Sequence, residues 1–84
     1  MILSDIRSSI LNALVGIKVM DDATRADFLA NADKDIALVE LGIDSVSVMD
    51  FCLLIENDVG REIEIIELID NPSLNTLAAH LAAA

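Results

Sequence analysis

Aromatic residues are almost missing from this chain: Phe28 and Phe51 are the only two in 84 residues, with no Trp or Tyr. Its core must therefore be built from Leu, Ile, Val, Ala and Met within a composition that is 55% hydrophobic. That palette favours helices packed on helices. Cysteine is reduced to Cys52, which excludes an intramolecular disulfide framework and a cysteine-rich metal site and fits a reducing compartment, so a cytoplasmic location is expected. Flanked by apolar residues, Cys52 reads as a buried, inert thiol.

Cations are the next scarcity. Five Lys and Arg stand against 15 Asp and Glu, a formal net charge of -10. A surface this negative repels nucleic acid and anionic membrane, whose binding rests on phosphate neutralisation, and its natural complement is a basic protein partner. The imbalance is uneven: residues 1–34 hold four basic and five acidic side chains, whereas residues 35–84 hold Arg61 alone against ten acids. The later part of the chain is therefore the expected functional face.

Long apolar runs are also lacking. Phe51-Cys52-Leu53-Leu54-Ile55 is the longest, far short of a membrane span, and Asp5 and Arg7 interrupt the N-terminus too early for a secretory hydrophobic region. At this length a single domain, residues 1–84, is expected; it buries only about three-fifths of the surface its unfolded chain exposes and has no room for a deep enzyme pocket. His80 is the sole histidine and no Gly-x-Ser-x-Gly turn exists, so a serine hydrolase lacks its base and its nucleophile elbow. Asp21, Asp22, Asp27, Asp33 and Asp35 suggest a calcium loop, but a loop begun at Asp21 or Asp33 puts Ala26 or Leu38 where the sharp turn requires glycine. No metal site is expected. His80 itself reads as a surface or helix C-terminal residue.

What is present is helical periodicity. Ile2, Leu3, Ile6, Ile10, Leu11, Leu14 and Val15 recur at three- and four-residue intervals, predicting an amphipathic helix that ends near Gly16. From Ile17 to Ile43 the pattern breaks into a long connection. A helical turn or two from Asp22 can relieve it, with Asp21 or Asp22 as cap and Phe28 and Leu29 docking inward. Ser45–Val59 is the strongest helical segment, apolar around most of its circumference and expected to sit centrally, with Gly60 as its stop. Glu62-Ile63-Glu64-Ile65 alternates like a strand, but a lone strand has no partner, and Ile66-Glu67-Leu68-Ile69 predicts a short helix. A last helix starts at Asn71-Pro72 or Ser73, lines Leu74, Leu77, Ala78 and Leu81 along one face, and frays at Ala82-Ala83-Ala84. The fold class is thus all-α: a small bundle of three main helices and one short one, with a long loop between the first two.

Asp44-Ser45, at the mouth of the central helix, is the most informative dipeptide. Both are preferred N-cap residues, so either can simply satisfy free backbone donors. A serine there is also exposed, and free N–H groups with the positive end of the helix dipole favour a phosphate attached to it.

The wider stretch Leu41-Gly42-Ile43-Asp44-Ser45-Val46 resembles the acyl carrier protein family, whose members show Leu-Gly-x-Asp-Ser followed by Leu, Met or Val at the start of their second helix. Pro72-Ser73-Leu74-Asn75-Thr76-Leu77-Ala78-Ala79-His80-Leu81 is similar to the Pro-Thr-Val-x-x-Leu-Ala-x-x-Leu ending of carriers in polyketide and peptide synthases. The resemblance covers nearly the whole chain. It implies that a phosphopantetheinyl transferase moves 4′-phosphopantetheine from coenzyme A onto Ser45, with Asp44 serving transferase recognition, and that the arm carries acyl or aminoacyl groups as thioesters. It implies a non-enzymatic, monomeric carrier that presents cargo to loading and transferring enzymes with basic docking patches, along an edge formed by Asp44, Val46, Asp50, Leu53, Glu56 and Asn57. Ser47 stands where the family frequently has an acid, Asn57 lightens its acidic run, and Glu64 replaces a common proline. These departures point away from fatty-acid synthesis toward a specialised polyketide, peptide or lipid carrier. A helical interaction module that keeps the scaffold without the arm is the alternative.

Overall fold

The computed structural model describes residues 2–83 of the protein. It is all-helical over them: α1 (Leu3–Gly16), α2 (Asp22–Ala30), a 3₁₀ turn (Leu38–Leu41), α3 (Ser47–Val59), α4 (Ile65–Asp70) and α5 (Leu74–Ala83). The all-α bundle anticipated from periodicity stands, and its long connection carries a helix of its own. Asp21 caps α2 by accepting the Thr24 N–H at 2.7 Å, and Phe28 docks into the core. Leu29, the other residue expected to turn inward, stays in solvent; it follows Phe28 by about 100° around the helix, and α2 presents only one face to α1.

The central rod is α1, not α3. α1 packs against α2, α3 and α5, burying Ile6, Ile10, Leu11, Ala13 and Leu14, whereas Ile2 remains 66% exposed and Leu3 is also in solvent. α3 buries Phe51, Cys52 and Ile55 and leaves Met49, Leu53 and Leu54 exposed, so its apolar circumference reflects a surface as well as a core. α5 inserts Leu74, Leu77, Ala78 and Leu81, as its spacing predicts. Each buried Leu or Ile side chain contributes about 1.5–3 kcal/mol.

Helix ends explain the remaining differences. α1 closes in a Schellman arrangement, with the Lys18 N–H on the Val15 carbonyl at 3.0 Å and the Val19 N–H on the Leu14 carbonyl at 3.1 Å. Lys18 takes the left-handed position, φ 65°. Gly16 serves a different purpose: a Cβ there would lie 3.0 Å from Leu54 Cδ1, so its absence lets α1 approach α3. α5 begins after Ser73, not at Asn71; the Ser73 hydroxyl accepts the Thr76 N–H at 3.2 Å and the Thr76 hydroxyl accepts the Ser73 N–H at 3.1 Å. The helix continues through Ala82 and Ala83, where fraying was expected; Ala84 lies outside the described residues.

One buried cation organises the connection. Arg7, on α1, donates to the Asn75 side-chain oxygen at 2.7 Å and to the carbonyls of Phe28, Lys34 and Asn31 at 2.7, 2.6 and 3.3 Å. Beyond it the Leu38 N–H reaches the Pro72 carbonyl at 2.8 Å and the Leu74 N–H the Ile36 carbonyl at 3.0 Å. Asp35 accepts the Asn75 N–H at 2.9 Å. The chain leading to Asp44-Ser45 is therefore anchored to α1 and to the start of α5.

Candidate functional site

The attachment turn is built by three consecutive devices. Gly42 follows the 3₁₀ turn at φ 71° with open space where a Cβ would stand, so glycine is required there by backbone conformation and not by crowding. Ile43 then turns partly inward. Asp44 supplies the cap: its Oδ1 accepts the Val46 N–H at 3.1 Å and the Ser47 N–H at 2.7 Å, and its carbonyl accepts the Val48 N–H at 3.0 Å. The choice between Asp44 and Ser45 as cap is thus resolved in favour of Asp44. The backbone N–H of Ser47 at this cap, and then its hydroxyl, hold the Asp44 carboxyl below the usual carboxylate range.

Capping by Asp44 releases Ser45. Its side chain is exposed, and its hydroxyl has no hydrogen-bond partner among the described residues. The arrangement also corrects the electrostatic expectation from sequence. The Val46 and Ser47 N–H groups already serve the Asp44 carboxylate, so a phosphate on Ser45 does not find those donors free.

The predicted docking residues divide by environment. Val46 is 74% exposed, and Asp50, Leu53 and Asn57 are exposed beside it on α3. Met49, absent from the expected set, joins them; its four-residue spacing from Ser45 is the signal that marks it. Glu56 is half-buried, its Oε1 accepting the Ile63 N–H at 2.8 Å. This carboxylate holds the α3–α4 connection.

Open hollows surround α3: one of about 390 Å³ reaches Ser47 and Asp50 from the end of α1, and two lie beside α4. One, of about 290 Å³, lies between the 3₁₀ turn, α3 and α4 and is walled by Leu38, Ile43, Val48, Ile65, Leu68 and Ile69. The second, of about 200 Å³, is lined by Met49, Cys52, Leu53, Glu56, Ile63 and Ile65. Both have α4 as a wall. Burial pushes the Cys52 thiol up, with the Glu56 and Glu67 charges adding to it, which makes it the unreactive thiol expected from its neighbours.

Sequence reasoning missed a polar hub beside these hollows. Glu67 on α4 accepts Arg61 Nη2 at 2.6 Å and the Glu64 N–H at 2.8 Å, and contacts His80 Nε2 at 2.8 Å. Hydrogen bonding by Arg61, then by the Glu64 N–H, pulls the Glu67 carboxyl down to about 2. The i, i+3 spacing of Glu64 and Glu67, which forms a capping box, was the available signal. The tie to His80 spans two helices and carried none. The imidazole is committed to Glu67 and makes no hydrogen bond to Ser45, so no hydroxyl–imidazole pair exists for nucleophilic catalysis. Among the described residues no cluster of His, Cys, Asp and Glu is arranged to hold a metal ion, and no helix is long and apolar enough to cross a membrane.

An exposed hydroxyl without a partner, on a turn whose cap is supplied by its neighbour, suits a covalent tether. Comparison with protein families matches residues 23–81 to the family described as "Phosphopantetheine attachment site". No curated protein and no solved structure matches the chain. Members of the matched family are non-catalytic carriers that hold 4′-phosphopantetheine covalently. The match spans well over half of the chain, from α2 to the last turn of α5, and the protein belongs to the phosphopantetheine-attachment family of carriers.

Proposed function

We propose that Ser45 is the attachment residue and that the protein, as a single carrier unit, presents acyl or aminoacyl groups to partner enzymes. The observation that carries this reading is the division of labour at the turn: Asp44 makes both cap hydrogen bonds, leaving the Ser45 hydroxyl exposed and unpartnered. In the loading step, catalysed by a phosphopantetheinyl transferase, Ser45 Oγ bonds to the pantetheine-side phosphorus of coenzyme A. The pyrophosphate P–O bond breaks, adenosine 3′,5′-bisphosphate leaves, and the hydroxyl proton passes to the transferase or to water. When attached, the arm supplies a distal thiol that holds cargo as a thioester.

The chain's own residues do the rest. Asp44 fixes the turn and sets a negative charge beside the hydroxyl, a feature a transferase with a basic face can recognise. Val46, Asp50, Leu53 and Asn57 supply an exposed docking edge, with Glu56 supporting it from behind through the Ile63 N–H. An edge with small apolar contacts and rim charge suits partners that must bind and leave. The single-thiol composition, with no helix among the described residues long and apolar enough to cross a membrane, is compatible with work in the cytoplasm, where the transferase and coenzyme A are met. The departures at Ser47, Asn57 and Glu64 favour a polyketide, peptide or specialised lipid as cargo over the fatty-acid synthesis series.

Incubation with coenzyme A, magnesium and a broad-specificity transferase is expected to add one phosphopantetheine mass to the wild type and none to Ser45→Ala. Wild type left unmodified beside a carrier that the same transferase does modify would favour the arm-free interaction module instead.

A further inference from the structure

Three parts of the chain meet at Glu67: Arg61 from the α3–α4 connection, the Glu64 N–H at the entrance of α4, and His80 from α5. Its side chain is only 15% exposed. An ionised carboxylate accepts hydrogen bonds and donates none, so His80 donates from Nε2. α4 has little else to hold it. With six residues it is too short to be stable alone, it buries Leu68 and no other residue, and it leaves Ile65, Ile66 and Ile69 in solvent. Yet Ile65 walls both hollows beside α4, and Leu68 and Ile69 wall the larger of these two.

We propose that the Arg61–Glu67–His80 hub is a latch that ties α4 to α5 and to the α3–α4 connection and sets access to the apolar hollow over Cys52, with Glu67 and His80 as positioning residues for the carrier site. Closed, the hub draws α4 toward α5 and keeps Met49, Cys52 and Ile65 as a narrow cleft. Open, α4 is left on Leu68 and its short connections, and the hollow over Cys52 widens. The charged groups around the hub are Glu67 from α4, Glu64 at its entrance, whose carboxylate accepts the Glu67 N–H, Arg61 from the connection, and Glu56 from α3, whose carboxylate is occupied by the Ile63 N–H. α1 brings its buried Arg7 to Asn75, toward the other end of α5. The use of this latch rests on Ser45 carrying the arm, but its existence does not.

Cys52 is a built-in reporter. It is the sole cysteine, it is buried, and it lines the hollow that the latch closes. The test follows reaction of unmodified protein with an aromatic disulfide reagent over a range of pH. Rates are compared at the high-pH limit, so that a changed thiol charge does not pass for opening. His80→Ala and Glu67→Gln are each expected to raise the limiting rate roughly tenfold, the factor set by losing one hydrogen bond to a charged group. His80→Gln places an amide donor near Nε2 and is expected to stay within about twofold of wild type. Amide exchange should quicken across α4 in His80→Ala while α1 keeps its protection. A wild-type rate in His80→Ala overturns the latch, as does an acceleration shared equally by α1, which reports general loosening. Because the protein tested is unmodified, failure here leaves Ser45 attachment standing, and failure of transferase modification leaves the latch standing.

Discussion

Along the seam where α1 meets α5, Ile6, Ile10, Leu11 and Leu14 from one helix and Leu74, Leu77, Ala78 and Leu81 from the other are all buried. α4, less than half as long as α1, buries Leu68 alone among its residues and keeps Ile69 65% exposed. Aliphatic packing holds the first region, whereas a carboxylate bonded to three neighbours holds the second. The difference teaches where each task resides. Apolar burial is insensitive to direction and gives a scaffold; a few directional polar bonds on an under-packed helix give a part that can move beside the attachment turn.

The sharpest way to break this contrast is to strike the seam. Leu77→Ala should lower unfolding free energy by about 2–5 kcal/mol, read as a large fall in the urea midpoint, and a change under about 1 kcal/mol would move the scaffold elsewhere. A smaller effect is expected from titrating the hub. The Glu67 carboxyl sits at about 2 in the folded protein against an ordinary 4.5, so its contribution is present above the unfolded value and is lost as pH falls from about 4.5 through about 2. Urea midpoints of the wild type should drop across that window more steeply than those of Glu67→Gln; parallel curves would show that the hub adds nothing to stability. The smallest effect belongs to the outer face of α4, where Ile66→Ser should change stability by no more than about 0.5 kcal/mol. A substantial loss there would mean that α4 is held by packing after all.

Much of this arrangement is legible in the residues. Leu74, Leu77, Ala78 and Leu81 declare the buried face of α5 because a helix repeats its core contacts every three to four positions. Leu41-Gly42-Ile43-Asp44-Ser45 declares the turn because a glycine that must adopt positive φ and a capping acid are both local requirements. Other features are not local. α3 shows an apolar circumference, but hydrophobicity alone does not separate side chains facing α1 from Met49 and Leu53 facing solvent. Arg7 looks like part of a polar stripe, and its bonds to Phe28, Asn31 and Lys34 exist only once α2 folds back on α1. Asp44 and Ser45 are equal candidates for the cap until geometry assigns both donors to one carboxylate. His80 likewise acquires its role from Glu67, 13 residues away.

The central claim is that one hydroxyl, freed by the neighbouring cap, bears the arm. Its most direct test is intact-mass measurement of the protein purified from its own cells, followed by fragmentation to place any added mass. A phosphopantetheine increment on the peptide containing Ser45, with cargo as any further mass, is the expected result; a bare Ser45 in cells whose transferase modifies other carriers would contradict it.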